Sequence, residues 1–186
     1  CRPNEHPICR FPGRTRFLQQ KIGIPDDFFP DPRCPLYRTF VDRLKAEQIS
    51  IIFSSYYTNS PGSAFGHTLF KVGQQTAKDR PKDSSTDLLD YGIGYGANVG
   101  DINPITYAIY GIFGGFGGTF TNVPFFYKVR EYGDFENRDL WIYDLNLTEL
   151  ERDLLIDHLW EVGDVEFNYY FFTQNCAYHM LSTLDA

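Results

Sequence analysis

No apolar run in this 186-residue chain is long enough to cross a bilayer as a helix, and no stretch of it is expected to act as a signal peptide. Internal repeats are absent, and no linker divides the chain. Cations are in deficit: Lys+Arg number 17 against 24 Asp+Glu, for a net charge of −7. That balance argues against a nucleic-acid partner and against electrostatic docking on anionic lipid. Cysteine is scarce, with 4 in all, and no C-x-x-C spacing supports a zinc site. Cys1, Cys9 and Cys34 cluster near the start, and Cys176 stands alone far downstream.

What is present is a globular composition, 42% hydrophobic, with an unusual 17% of aromatic residues. The length suits one domain with a sizeable core. Residues 1–35 form a first region, a Pro-rich arm carrying Pro3, Pro7, Pro12, Pro25, Pro30, Pro32 and Pro35. That density predicts no long regular structure, apart from a short helix over Arg14–Lys21. Of the clustered thiols, Cys9 and Cys34 are expected to form a disulfide that pins the arm to the surface, in an oxidising compartment. Cys1 is then left as a chain end, a second thiol or a lipidated first residue.

Residues 36–186 are expected to form the second region, a single domain that holds the candidate catalytic residues. Leu36, Phe40, Val41 and Leu44 share one face at helical spacing over residues 36–47. Ile49–Tyr57, Ala64–Val72 and Asp87–Asn98 read as strands, with a polar turn at Thr58–Gly62 and a solvent loop over Gly73–Thr86. Pro104–Tyr127 is apolar but carries Gly111, Gly114, Gly115, Gly117 and Gly118, so a helix throughout is not expected. It reads either as a buried irregular connection or as a mobile apolar flap. In the second reading Tyr110, Phe113 and Phe116 touch lipid or an acyl chain. Phe125–Glu131 and Asp139–Leu145 read as further strands. Thr148 and Glu151 make a capping box for a helix running to about Val162, with Gly163 as its stop.

The stretch that carries chemistry is Asn168–Leu181, NYYFFTQNCAYHML. An aromatic run ends at Thr173-Gln174-Asn175, and a short helix is expected to start at or just before Cys176. A thiol in the first helical turn faces unpaired N–H groups, which favour the nucleophilic thiolate. The alternative is a free cysteine packed as a small apolar group. If Cys176 is a nucleophile it needs a base, and histidine is the natural one near neutral pH. His6 lies in the arm, His158 in the middle of a helix, and His179 along the same helix as Cys176. His67, in SPGSAFGHTLF on a strand, is the candidate that can face a helix start across a cleft. Tyr91 is the chosen third group to orient it, with Asp90 reached by a one-residue slip and Asn98 as a further option.

The order of His67 on a strand and Asn175-Cys176 at a helix start resembles the permuted papain-like fold. That fold belongs to the lecithin:retinol acyltransferase group and is related to the NlpC-type cell-wall peptidases. More closely, SPGSAFGHTLF, LLDYGIGYG, YGIFGGFGG, RDLWIYDLNLT and NYYFFTQNCAYHML together resemble the periplasmic domain of the Lnb-type bacterial lipoprotein N-acyltransferases. CRFPGRTRFL and RCPLYRTFVDRL fit as well, so the resemblance spans nearly the whole chain.

It implies an α+β, NlpC-like fold with an antiparallel sheet packed on helices, in the periplasm at the inner membrane, followed by a membrane-embedded region outside this chain. The implied activity transfers an acyl chain from a glyceryl ester of a lipidated lipoprotein to its N-terminal amine through a Cys176 thioester, giving the lyso form. A phospholipid is the alternative donor, and no cofactor or metal is implied. His67 would be the base, and the oxyanion would be held by the Cys176 N–H with Asn175 or Gln174. A cell-wall cysteine amidase or endopeptidase, with a polar cleft, and a noncatalytic envelope binding domain are the rival readings.

Overall fold

A computed structural model describes residues 5–25, 28, 33–56, 66–74, 90–129 and 139–185. The polar turn at 58–62 and nearly all of the loop at 73–86 lie outside these residues, as does Cys1. Helices α1 (Pro7–Arg10), α2 (Pro12–Ile22) and α3 (Pro35–Leu44) each open on a proline. The first turn of a helix has no use for the N–H that proline lacks. The Pro-rich arm therefore holds an 11-residue helix, α2, which contains the short helix expected over Arg14–Lys21 and extends it at both ends.

The arm does more than wrap the surface. Cys9 and Cys34 are joined, as expected, with an S–S distance of 2.01 Å. The α2 helix lies on α6 (Glu149–Gly163), where the Arg16 Nε donates to Asp157 at 2.8 Å and the Arg14 N–H donates to Glu161 at 2.9 Å. Tyr37 gives its hydroxyl to the same Asp157, and Trp160 donates to the Cys9 carbonyl at 2.8 Å. The capping box of α6 is present with both of its bonds.

The sheet has six strands in the order β5-β1-β2-β3-β4-β6, every neighbouring pair antiparallel. The strands are β1 (Gln48–Ser54), β2 (His67–Gly73), β3 (Tyr91–Ala97), β4 (Phe116–Pro124), β5 (Leu140–Asp144) and β6 (Phe167–Tyr169). The α+β class with an antiparallel sheet on helices is as expected. Side chains alternate across the sheet. Phe70, Val72, Ile93 and Tyr95 face a core built with Leu44, Leu155, Ile156, Leu159 and Met180. On the other face, Leu69 and Ile52 meet Phe125. There the buried Lys71 pairs with Asp90 at 3.2 Å.

The Gly-rich segment is regular after all. It forms helix α4 (Pro104–Phe113), capped by Asn103, and then strand β4. Only Gly111 sits inside the helix, and Gly114 ends it in the left-handed region. At Gly111 a β-carbon would lie 2.1 Å from the Phe171 ring, so glycine is required for the helix to approach that segment. The Phe171 N–H bonds the Gly111 carbonyl there at 2.8 Å. Phe125–Val129, read as a strand, is a short helix, α5, whose first N–H goes to the Asp90 carbonyl. Strand β6, by contrast, falls within a run read only as aromatic. Among the described residues, no helix is long and apolar enough to cross a membrane.

Candidate active site

Gly66 leads into β2 with φ +81, and a β-carbon on it would meet the Ser54 carbonyl at 2.6 Å. This tight, left-handed entry fixes where His67 stands. The β2–β3 pairing runs from Val72–Tyr91 to Leu69–Gly94 and ends there. His67 and Thr68 on one strand, and Tyr95 to Ala97 on the other, lie beyond it. The His67 imidazole sits on the Leu69 face, its Nε2 3.4 Å from where a β-carbon on Gly94 would be.

Cys176 opens helix α7 (Cys176–Ser182), as expected, with Asn175 as its N-cap. The thiol is buried, 7% exposed, on the helix-covered side of the sheet. Burial pushes it up from the ordinary cysteine value, against the opposing pull of the Thr68 N–H, the Ala177 N–H, the Tyr169 hydroxyl and its own N–H. The helix start therefore does not win: the resting group is a thiol ringed by donors, and not the thiolate expected from the first-turn position. Because Thr68 follows His67, the sulfur and the imidazole reach the same strand end, from the two faces of the sheet.

The imidazole borders a cavity whose walls include Tyr169, the sulfur's neighbour, but not Cys176 itself. It has a volume of about 320 Å3, and its walls include His67, Leu69, Gly94, Tyr107, Tyr169 and Phe171. That volume lies within the usual range for ligand pockets, about 300–1,000 Å3. Among the described residues, no group of His, Cys, Asp and Glu gathers where a metal ion could be held.

Other expected site residues lie elsewhere. Tyr91 pairs with Val72, at the far end of β2 from His67, so it does not orient the imidazole. Asp90 is committed to Lys71 at that same far end. Asn98 accepts from the Thr119 hydroxyl at 3.4 Å. The Asn175 amide caps the helix, its Oδ1 accepting from the Tyr178 N–H and its Nδ2 donating to the Phe171 carbonyl. Gln174 is exposed, and its carbonyl accepts from the Tyr170 N–H.

Of the apolar trio, Phe113 is 75% exposed and Tyr110 is 45% exposed. Phe116 is a core residue, packed against Tyr107, Tyr110 and Phe171, so it does not face lipid. The residue missed from the sequence is Tyr169. Its place in an aromatic run hid it among packing residues, and the β4–β6 register that aims it was not legible.

A protein-family model described as the Lnb N-terminal periplasmic domain matches residues 37–186. No curated protein and no solved structure matches the chain.

Proposed function

The chain belongs to the Lnb N-terminal periplasmic domain family, and from that premise we propose that it is a periplasmic thiol acyltransferase acting on lipid-modified protein at the inner membrane. The observation that carries this reading is the Cys176 sulfur, ringed by donors that include Tyr169, which also lines the cavity bordered by His67. A thiol kept protonated by burial cannot attack an ester unaided, so a base must act in the same step. We take His67 as that base. It stands at the same strand end as the sulfur but on the other face, so the proton transfer requires the imidazole to reach the sulfur around the end of β2, where the pairing with β3 has stopped.

His67 takes the thiol proton as the sulfur adds to the carbonyl carbon of a fatty glyceryl ester. The oxyanion is held in part by the Cys176 N–H. The tetrahedral species expels the glyceryl oxygen, which receives the proton from His67, and a Cys176 thioester remains. The N-terminal amine of the lipoprotein then adds to the thioester. His67 accepts the amine proton, the carbon–sulfur bond breaks, and the proton returns to sulfur. The product carries an amide and one free glyceryl hydroxyl, the lyso form. This sequence of steps suits a permuted papain-like arrangement.

The apolar outer face of α4 supports a lipid substrate over a cell-wall peptide. Ile105, Ile109, Ile112 and Phe113 are exposed, and the helix has no charged residue. Tyr107 on the same helix lines the cavity, so the helix that carries this apolar face also borders the site. Acyl transfer from a diacylglyceryl-modified peptide in detergent micelles tests the proposal. Cys176→Ser is expected to abolish transfer, and His67→Gln to lower it by about 10²–10⁴-fold. Release of free fatty acid or cleavage of peptide in place of N-acylation would favour a hydrolase and contradict the transferase reading.

A further inference from the structure

We infer that Tyr169 is a catalytic residue of this site: its hydroxyl donates to the Cys176 sulfur at rest and passes to the carbonyl oxygen of the acyl group as the carbon–sulfur bond forms. The inference rests on the acyl-transfer reading above and adds to it a donor that the main chain does not supply.

The tyrosine is held from several sides. Its main chain is fixed in β6 opposite Phe116. Its ring stacks on Tyr95 with centroids 5.8 Å apart and meets Phe171 edge-on at 6.1 Å. It is 8% exposed. One hydroxyl therefore has one place to be, against both the sulfur and the N–H of Cys176. The same residue lines the cavity where the acyl group would lie. A packing tyrosine would need neither the cavity wall nor contact with the reacting atom.

The proton stays on the tyrosine. Burial raises this hydroxyl far above its ordinary value, and the neighbouring Cys176 adds to that, so the group is a donor and not a second base. When the sulfur electron pair forms the bond to carbon, the carbonyl π electrons move to oxygen. The sulfur then has less charge to offer the hydroxyl, and the oxyanion has more. Tyr169 O–H turns to that oxygen beside the Cys176 N–H, and the oxygen releases both donors when the carbonyl re-forms and the glyceryl oxygen leaves. Tyr169 itself is buried, so its hydroxyl is little screened by solvent, which strengthens such a donor.

The test compares Tyr169→Phe with the wild-type 186-residue chain in two assays. The first is the pH profile of Cys176 alkylation by iodoacetamide, followed on the Cys176 peptide with Cys176→Ser as the blank. The second is the burst of p-nitrophenolate from p-nitrophenyl laurate. The inference expects the alkylation midpoint of Tyr169→Phe to move to higher pH and the burst rate to fall about 10²–10³-fold, the loss of one oxyanion donor. A folded Tyr169→Phe with an unchanged profile and an unchanged burst rate overturns it. If Tyr169→Phe fails to fold, 3,5-difluorotyrosine placed at position 169 keeps the ring with a more acidic hydroxyl. It is expected to move the alkylation midpoint to lower pH, and no movement overturns the inference. A wild-type chain that alkylates but gives no burst overturns the acyl-transfer reading and the second half of the inference, while the alkylation profile decides the first half.

Discussion

At the residue scale, the site depends on space beside His67 as much as on His67 itself. A β-carbon on Gly94 would lie 3.4 Å from the imidazole Nε2 and 3.6 Å from the Leu69 β-carbon, which is ordinary contact. Gly94→Ala is therefore expected to fold and react nearly as wild type. Gly94→Val adds branches with no room, displaces the ring, and should lower the burst rate tenfold or more, about 1.4 kcal/mol. Equal rates for the two variants would show that the imidazole position does not matter. A second histidine, His179, has no part in this chemistry but does affect stability. It is 8% exposed, its ring lies tilted against Tyr95 with centroids 4.1 Å apart, and its Nε2 has no hydrogen-bond partner among the described residues. Burial holds it below the ordinary histidine value, against a bond to the Asn168 carbonyl. Below an ordinary value of about 6.5 the unfolded chain binds a proton that the folded chain refuses, so stability falls as pH falls through that range. His158 shifts in the same direction. The Tm should therefore drop between pH 7 and pH 5, and the drop should be smaller in His179→Phe. Cys176 and His67 were legible as residues because their chemistry is carried by residue type and local context. Tyr91 was misassigned because its distance from His67 is a matter of register, which a strand pattern does not reveal across the long loop between the strands.

At the scale of elements, prolines and glycines were the points where sequence reasoning turned the wrong way. Both were counted as breakers, while the fold uses Pro12, Pro35 and Pro104 as helix openers and Gly114 as a helix stop. The same miscount made α4 and β4 look like one irregular segment, either a buried connection or a mobile flap. Their separation predicts opposite outcomes for two phenylalanines once grouped together. Phe116→Ala should cost about 3–5 kcal/mol in urea unfolding, as a buried ring lost from a packed cluster. Phe113→Ser, at an exposed position, should leave the urea midpoint nearly unchanged and weaken binding to phosphatidylcholine vesicles. Vesicle binding that survives Phe113→Ser and Ile109→Ser together would remove α4 from the lipid reading. The arm is the other element whose weight was underestimated. Its disulfide spans a sequence separation of 25, and its Arg16 meets a carboxylate buried on α6. Replacing Cys9 and Cys34 by serine should lower unfolding free energy by about 3 kcal/mol on loop-closure grounds. A loss near zero would mean that the ion pairs on α6 hold the arm unaided.

At the scale of the molecule, the antiparallel order β5-β1-β2-β3-β4-β6 brings together residues that lie far apart in the chain. His67 begins β2, Tyr169 ends β6, and Cys176 opens the helix laid over β2 and β3. The strand-and-helix order and the helix-start cysteine could be read from pattern. The cavity and its donors could not, because they arise where β2 and β3 stop pairing. The central claim is that the acyl group passes through Cys176, and intact-protein mass spectrometry tests it most directly. The chain is mixed with a diacylglyceryl-modified peptide lacking a free amine, so that the second half of the reaction cannot proceed. The account predicts a mass increase of one acyl chain, mapped to the Cys176 peptide, removed by neutral hydroxylamine, and absent in Cys176→Ser. An acyl adduct on another residue, or peptide deacylation with wild-type speed in Cys176→Ser, would contradict it.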